Sequence, residues 1–258
     1  YSGGPGSVII GENIANVAAN DSSSTNSGIV AIGSYVLTEP LADQEQWAGI
    51  VAIGDLAMSG VGSHANLSIG LGYKSLVHCS GSANIGIGVG AGHQRSYLTA
   101  NQGRRTVNNI SIGTWAGLYQ DGAVDGYDIS MGYYAGSHHH SGVDNINIGK
   151  YAGGKWIEDN NFSNEHMVNI GEYAGVGSTG VKYSVNLGAS AGYFTEDGLG
   201  NVYIGYQSQY NTSGQYNGTA HCVGIGYQVL KEGQDMDYTV AIGYRAGLGA
   251  SGTYNNIL

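Results

Sequence analysis

Asn145-Ile146-Asn147-Ile148-Gly149-Lys150-Tyr151-Ala152-Gly153 is one copy of a phrase that runs from end to end of this chain. Its kernel is a branched aliphatic, a small or polar residue, a second aliphatic and Gly. Other clear copies are Val30-Ala31-Ile32-Gly33, Val51-Ala52-Ile53-Gly54, Ile110-Ser111-Ile112-Gly113, Val168-Asn169-Ile170-Gly171, Val202-Tyr203-Ile204-Gly205 and Val240-Ala241-Ile242-Gly243. The kernel occurs thirteen times, ending at Gly11, Gly33, Gly54, Gly70, Gly88, Gly113, Gly132, Gly149, Gly171, Gly188, Gly205, Gly226 and Gly243. Successive glycines stand 16 to 25 residues apart. A firm minimum with a ragged upper side describes a constant rung carrying insertions of variable length. Repeats of this kind stack each unit on its neighbours.

Alternation within the kernel predicts a short half-buried strand with its aliphatics on one face. Those aliphatics are the expected buried interior of each rung. The Gly is expected at a bend, where positive φ or close backbone approach excludes a side chain. Eight rungs place Ala three residues after the Gly (Ala57, Ala91, Ala116, Ala135, Ala152, Ala174, Ala191 and Ala246), and seven of these precede a further Gly. A small residue at a fixed place predicts a second tight contact, inside the coil or against another chain. The fold expected is all-β, a repetitive β-solenoid or β-roll, with residues 1–258 forming a single repetitive fibre domain of about thirteen rungs. So thin an interior needs lateral help, and an intertwined or side-by-side homotrimer is the arrangement expected.

Composition agrees. The chain has 46 Gly, 20 Tyr and 2 Pro in 258 residues, against a usual Gly share of about 7%. No helical periodicity is sustained. A net charge of −10 argues against a nucleic-acid surface, which needs clustered Lys and Arg. Cys79 and Cys222 are about eight rungs apart, so they are expected as free, buried thiols. There is no apolar run long enough to span a membrane, and no membrane insertion is expected.

The units Asn145–Gly153 and Asn201-Val202-Tyr203-Ile204-Gly205-Tyr206-Gln207 resemble the repeats of bacteriophage tail fibres. They are also similar to the head repeats of trimeric autotransporter adhesins, which form a trimeric β-roll. Adhesin-head repeats are shorter and more uniform than these rungs, which favours the phage fibre. The resemblance implies a receptor-binding tip at the distal tail fibre of a virion. Its expected partners are two further copies of the chain and a bacterial cell-surface receptor, either a polysaccharide or an outer-membrane protein. The alternatives are a polysaccharide-degrading tailspike fragment and a bacterial trimeric adhesin head.

Function on a repeat scaffold sits in its irregular parts. The insertions are rich in aromatic and amide side chains, which stack on sugar rings and bind hydroxyls. Trp47, Tyr97, Trp156, Tyr210, Tyr216 and Asn217 are the receptor-binding candidates. Trp115 lies inside a rung and is expected to pack. No metal is expected; in His138-His139-His140 only His138 and His140 could share a face and serve as ligands. Acidic residues occur in several loops, but no spacing selects a catalytic pair. No nucleophile elbow, P-loop or zinc-protease motif is present. No enzyme activity and no cofactor are expected.

Overall fold

A computed structural model describes residues 6–14, 27–38, 48–61, 65–79, 81–94, 107–119, 126–138, 143–154, 164–211, 218–252 and 255–258. The chain divides into two compact units, Tyr1–Tyr127 and Asp128–Leu258. Each is an all-β solenoid of parallel strands. The first unit stacks β1 (Val8–Ile10), β2 (Val30–Ile32), β3 (Val51–Ile53), β4 (Ile69–Leu71), β5 (Ile85–Ile87) and β6 (Ile110–Ile112) in chain order. In the second, the main sheet holds β7 (Ile129–Met131), β8 (Ile146–Ile148), β9 (Val168–Ile170), β10 (Val185–Leu187), β12 (Val202–Ile204), β14 (Val223–Tyr227) and β16 (Val240–Tyr244). A flanking sheet pairs β11 (Glu196–Leu199), β13 (Gly218–Ala220) and β15 (Met236–Asp237). Neighbouring kernels align without offset, as in Ile146↔Val168, Asn147↔Asn169 and Ile148↔Ile170.

Positions are counted here from the kernel Gly, so the strand is −3 to −1. That Gly has φ between 121° and 138° in every rung, a region closed to side chains. A Cβ on Gly149 would also stand 2.5 Å from the Gly171 carbonyl oxygen of the next rung. Both facts require Gly. One kernel is corrected by this signature. Gly70 lacks positive φ and pairs with Ala52 and Gly86 inside β4. The kernel Gly of that rung is therefore Gly72, at φ 129°. Two overlapping phrases, Leu67-Ser68-Ile69-Gly70 and Ile69-Gly70-Leu71-Gly72, share one stretch of sequence; the pairing selects the second.

After the Gly the chain turns through left-handed residues at +2 and +4, and these carry side chains in many rungs. Tyr151 (φ 59°), Tyr173 (59°) and Leu230 (52°) are examples. The conformation sends successive N–H groups to opposite neighbours. The Tyr173 N–H donates to the Lys150 carbonyl of the preceding rung, whereas the Gly175 N–H donates to the Ala191 carbonyl of the following one. Such inter-rung bonds offset the roughly 1 kcal/mol that a non-glycine residue loses in the left-handed region.

The strands turn opposite to the expectation. The middle residue of each kernel points inward and the flanking aliphatics point out: Asn169 is buried, while Val168 is half-buried and Ile170 is 39% exposed. The interior takes one side chain from each of these strands. It is filled by small and amide residues, and by aliphatics from the turns. The Ala at +3 packs inside the coil, fully buried in Ala57, Ala91, Ala116, Ala135, Ala152, Ala174 and Ala191.

In seven rungs the sizes at −2 and +4 are traded against each other across this interior. Asn147, Asn169 and Asn186 at −2 face Gly153, Gly175 and Gly192 at +4, where a Cβ would collide with the Asn side chain. Where +4 is Leu37, Met58, Leu76 or Leu230, −2 is Ala31, Ala52, Gly70 or Gly224. Tyr203 is accommodated at −2 because Gly224 lies beside it in the next rung; a Cβ there would sit 3.3 Å from the Tyr203 ring.

Polar columns close the interior. Asn186 Nδ2 donates to Asn169 Oδ1 at 2.7 Å, and Asn169 Nδ2 to Asn147 Oδ1 at 2.9 Å. At −4, Asn84 Oδ1 accepts the Asn109 N–H in the first unit. Asp128, Asn145 and Asn201 accept the N–H of Asn145, Met167 and Cys222 in the second. Both cysteines are buried thiols outside any disulfide, as expected.

Candidate functional site

The inverted strands leave an aliphatic face on the outside of each unit. In the second unit Ile129, Ile146, Val168, Val185, Val202, Val223 and Val240 form one outward column at −3. Met131, Ile148, Ile170, Leu187, Ile204, Ile225 and Ile242 form another at −1. Exposure reaches 59% at Ile242. The first unit repeats the pattern with Val30, Val51, Ile69, Ile85 and Ile110, and with Ile32, Ile53, Leu71, Ile87 and Ile112. Seven rungs at about 4.8 Å make the second-unit stripe roughly 29 Å long. Soluble monomers rarely expose continuous apolar stripes of such size.

Aromatic columns flank this face in the second unit, each at a fixed distance from the kernel Gly. At +1, Tyr206, Tyr227 and Tyr244 stack at 5.4 and 5.2 Å between centroids. At +2, Tyr134, Tyr151 and Tyr173 stack at 5.6 and 5.3 Å. At −5, His166 stacks on Tyr183 at 4.7 Å and His221 on Tyr238 at 4.9 Å. Cations and amides lace the same surface. Lys150 bridges to Glu172 at 3.0 Å while lying over the Tyr151 and Tyr173 rings. Gln228 Nε2 donates to Gln207 Oε1, and Arg245 Nε donates to Gln228 Oε1. Rungs aligned on their glycines show these columns in the sequence; aromatics counted only by insertion do not.

Of the sequence candidates, Tyr210 is described. It stands at +5 between Tyr193, stacked at 4.7 Å, and Lys231, whose Nζ lies 5.2 Å from the ring centroid. Tyr193 comes from the preceding rung and Lys231 from the following one, so both ring faces are occupied. The residue offers an edge and a hydroxyl, not a stacking platform. Trp47, Tyr97, Trp156, Tyr216, Asn217 and His140 lie outside the described residues. His138 is half-buried at +6 with φ 62°. Among the described residues no group of three His, Cys, Asp or Glu side chains is placed to hold a metal. Trp115 packs within the first unit, its ring lying over Gly90 and 6.2 Å from His93. Burial, with His78 and Lys74 nearby, pushes the His93 imidazole down to about 4, so it stays neutral at neutral pH.

Asp128 carries a strongly perturbed carboxyl, pushed up to about 7 by burial. It is 3% exposed and accepts the Asn145 N–H, so it closes a polar column and offers nothing to a substrate. No helix among the described residues is long and apolar enough to cross a membrane. Compared with known proteins, the chain matches no protein-family model, no curated protein and no solved structure.

Proposed function

We propose that this chain is the receptor-binding region of a bacteriophage tail fibre. Three copies lie together on their aliphatic strand faces. Their loops and aromatic columns meet a glycan or an outer-membrane protein on a bacterial surface. The observation that carries this reading is the outward aliphatic face, repeated rung after rung and in contact with solvent in the single chain. An interface stable in solution covers about 1,000 Å² or more, and a regular stripe of this length supplies it best by meeting its own copy. Trimerisation multiplies each surface contact, so individually weak binding gains avidity. Stacked tyrosines give the surface large, rigid contact area at low entropic cost. The resemblance of the rungs to tail-fibre repeats supplies the biological setting.

Light scattering at neutral pH, paired with fluorescent labelling of bacterial cells by the purified protein, tests this reading. A mass of three chains and labelling of some strains but not others is expected. A single-chain mass that labels no strain would overturn it. Loss of molecular weight in host polysaccharide during incubation would convert the reading to a polysaccharide-degrading tailspike.

A further inference from the structure

The −5 column of the second unit is interrupted once between its rings. Its occupants run Asp144, His166, Tyr183, Gly200, His221 and Tyr238. The backbone does not ask for glycine there. Gly200 has φ 66°, and Tyr183, His221 and Tyr238 hold side chains at 55°, 58° and 51°. Elsewhere, where the next rung carries a ring at the same position, that ring leans over the glycine. Trp115 covers Gly90, and Phe194 covers Gly177 so closely that a Cβ would stand 2.5 Å from the ring. Gly200 is different. A Cβ there would lie 3.4 Å from His221 Cδ2, an ordinary contact, with no atom of Tyr183 within 4 Å. His221 is held back against Tyr238, parallel within 4°, and Tyr183 is stacked on His166. Each ring gives one face to its partner and turns the other toward the glycine.

Two strand spacings separate Tyr183 from His221, or about 9.5 Å. A ring placed midway would lie about 4.8 Å from each, the separation at which ring pairs in this column already stack. We propose that this one-ring gap over Gly200 is a carbohydrate subsite that takes a single pyranose. A pyranose presents C–H groups to both sides, and the electron-rich faces of aromatic rings attract them. Its hydroxyls lie around the rim and stay in water. The slot suits that division: Tyr183 is 58% exposed, and Lys182 and Glu165, paired at 3.0 Å, stand beside the column at its rim. The proposal rests on the surface-attachment reading and names its ligand class.

Saturation-transfer NMR on the full chain tests it. The probes are the methyl glycosides of glucose, galactose and N-acetylglucosamine, with p-cresol as the planar aromatic control. Transfer to the ring protons of at least one glycoside is expected. Gly200→Tyr, which continues the column, should abolish the transfer without lowering the unfolding midpoint, and Tyr183→Ala should abolish it too. Absence of transfer to every glycoside would overturn the subsite, as would equal transfer in the wild type and both variants. Transfer to p-cresol alone would also overturn it and would point to an aromatic side chain of a protein partner. Cell labelling separates this proposal from the attachment reading. A wild type that labels no cells, but whose glycoside transfer is lost in Gly200→Tyr, keeps the subsite and removes attachment. A wild type that labels cells while Gly200→Tyr still shows full transfer removes the subsite and keeps attachment.

Discussion

Asp128 occupies the position that Asn84, Asn109, Asn145 and Asn201 hold in other rungs. Its carboxyl titrates near 7 when folded, against an ordinary 3.8, because burial disfavours the charge. The folded chain therefore holds a proton that the unfolded chain has released between those pH values. Stability from this group is full below pH 3.8, falls as pH rises to 7, and is level beyond. The difference between 3.8 and about 7 sets an upper limit of about 4 kcal/mol. Asp128→Asn keeps the acceptor for the Asn145 N–H and removes the charge. Urea midpoints at pH 4 and pH 8 should show the variant more stable than the wild type at pH 8, with the gap closing at pH 4. Parallel pH profiles would refute the burial account. A second residue-scale expectation concerns the kernel Gly. Gly171→Ala puts a Cβ 2.5 Å from the Gly188 carbonyl oxygen at φ 137°, and should cost about 3 kcal/mol or more by thermal unfolding. A loss below 1 kcal/mol would mean that the rung relaxes freely.

At the scale of the rung, the trade between −2 and +4 predicts coupling between two residues six positions apart that face each other across the interior. Gly175→Ala should cost about 1–3 kcal/mol through collision with the Asn169 amide. Asn169→Ala should cost about 1–2 kcal/mol through its two column bonds. The double variant should lose less than the sum, by at least about 0.5 kcal/mol, because the new methyl fills vacated space. Simple additivity in a denaturant cycle would show that the two residues do not share volume.

The same scale shows how far the sequence could be read. Spacing and alternation identified the rung, its strand and the role of its Gly, since both periods belong to the backbone. They could not say which side of the strand faces in. Alternation groups Ile146 with Ile148 but does not orient the pair, and the usual rule that aliphatics are buried points the wrong way here. Nor did alternation show that the turn at +2 to +4 contributes to the interior, with Leu37, Met58, Leu76, Gln209 and Leu230 buried at +4 on a left-handed backbone. The register at Gly70 and Gly72 was ambiguous for a similar reason, because two kernels overlap. The aromatic columns were legible in principle: Tyr206, Tyr227 and Tyr244 each follow a kernel Gly directly.

For the whole molecule, the outward face gives the sharpest test of the proposed association. Ile148 is half-buried on the outside of β8. Ile148→Asp should leave the circular dichroism of the single chain unchanged, as surface substitutions usually shift stability by no more than about 0.5 kcal/mol. It would place an unpaired charge from every copy in the buried interface, which is strongly unfavourable. The expected result is a folded protein of single-chain mass. Loss of β-structure would return Ile148 to the interior, and an unchanged trimer would move the interface elsewhere.

Strands β4 and β5 begin 16 residues apart, and β5 and β6 begin 25 apart, yet both pairs align without offset. Nine additional residues between one pair displace nothing in either strand. A lineage can therefore rewrite, shorten or extend a single intervening segment while inheriting the strands on either side intact. Mutation there is sheltered from the constraints that hold the kernel fixed, so diversification and folding are answerable to different residues of one gene.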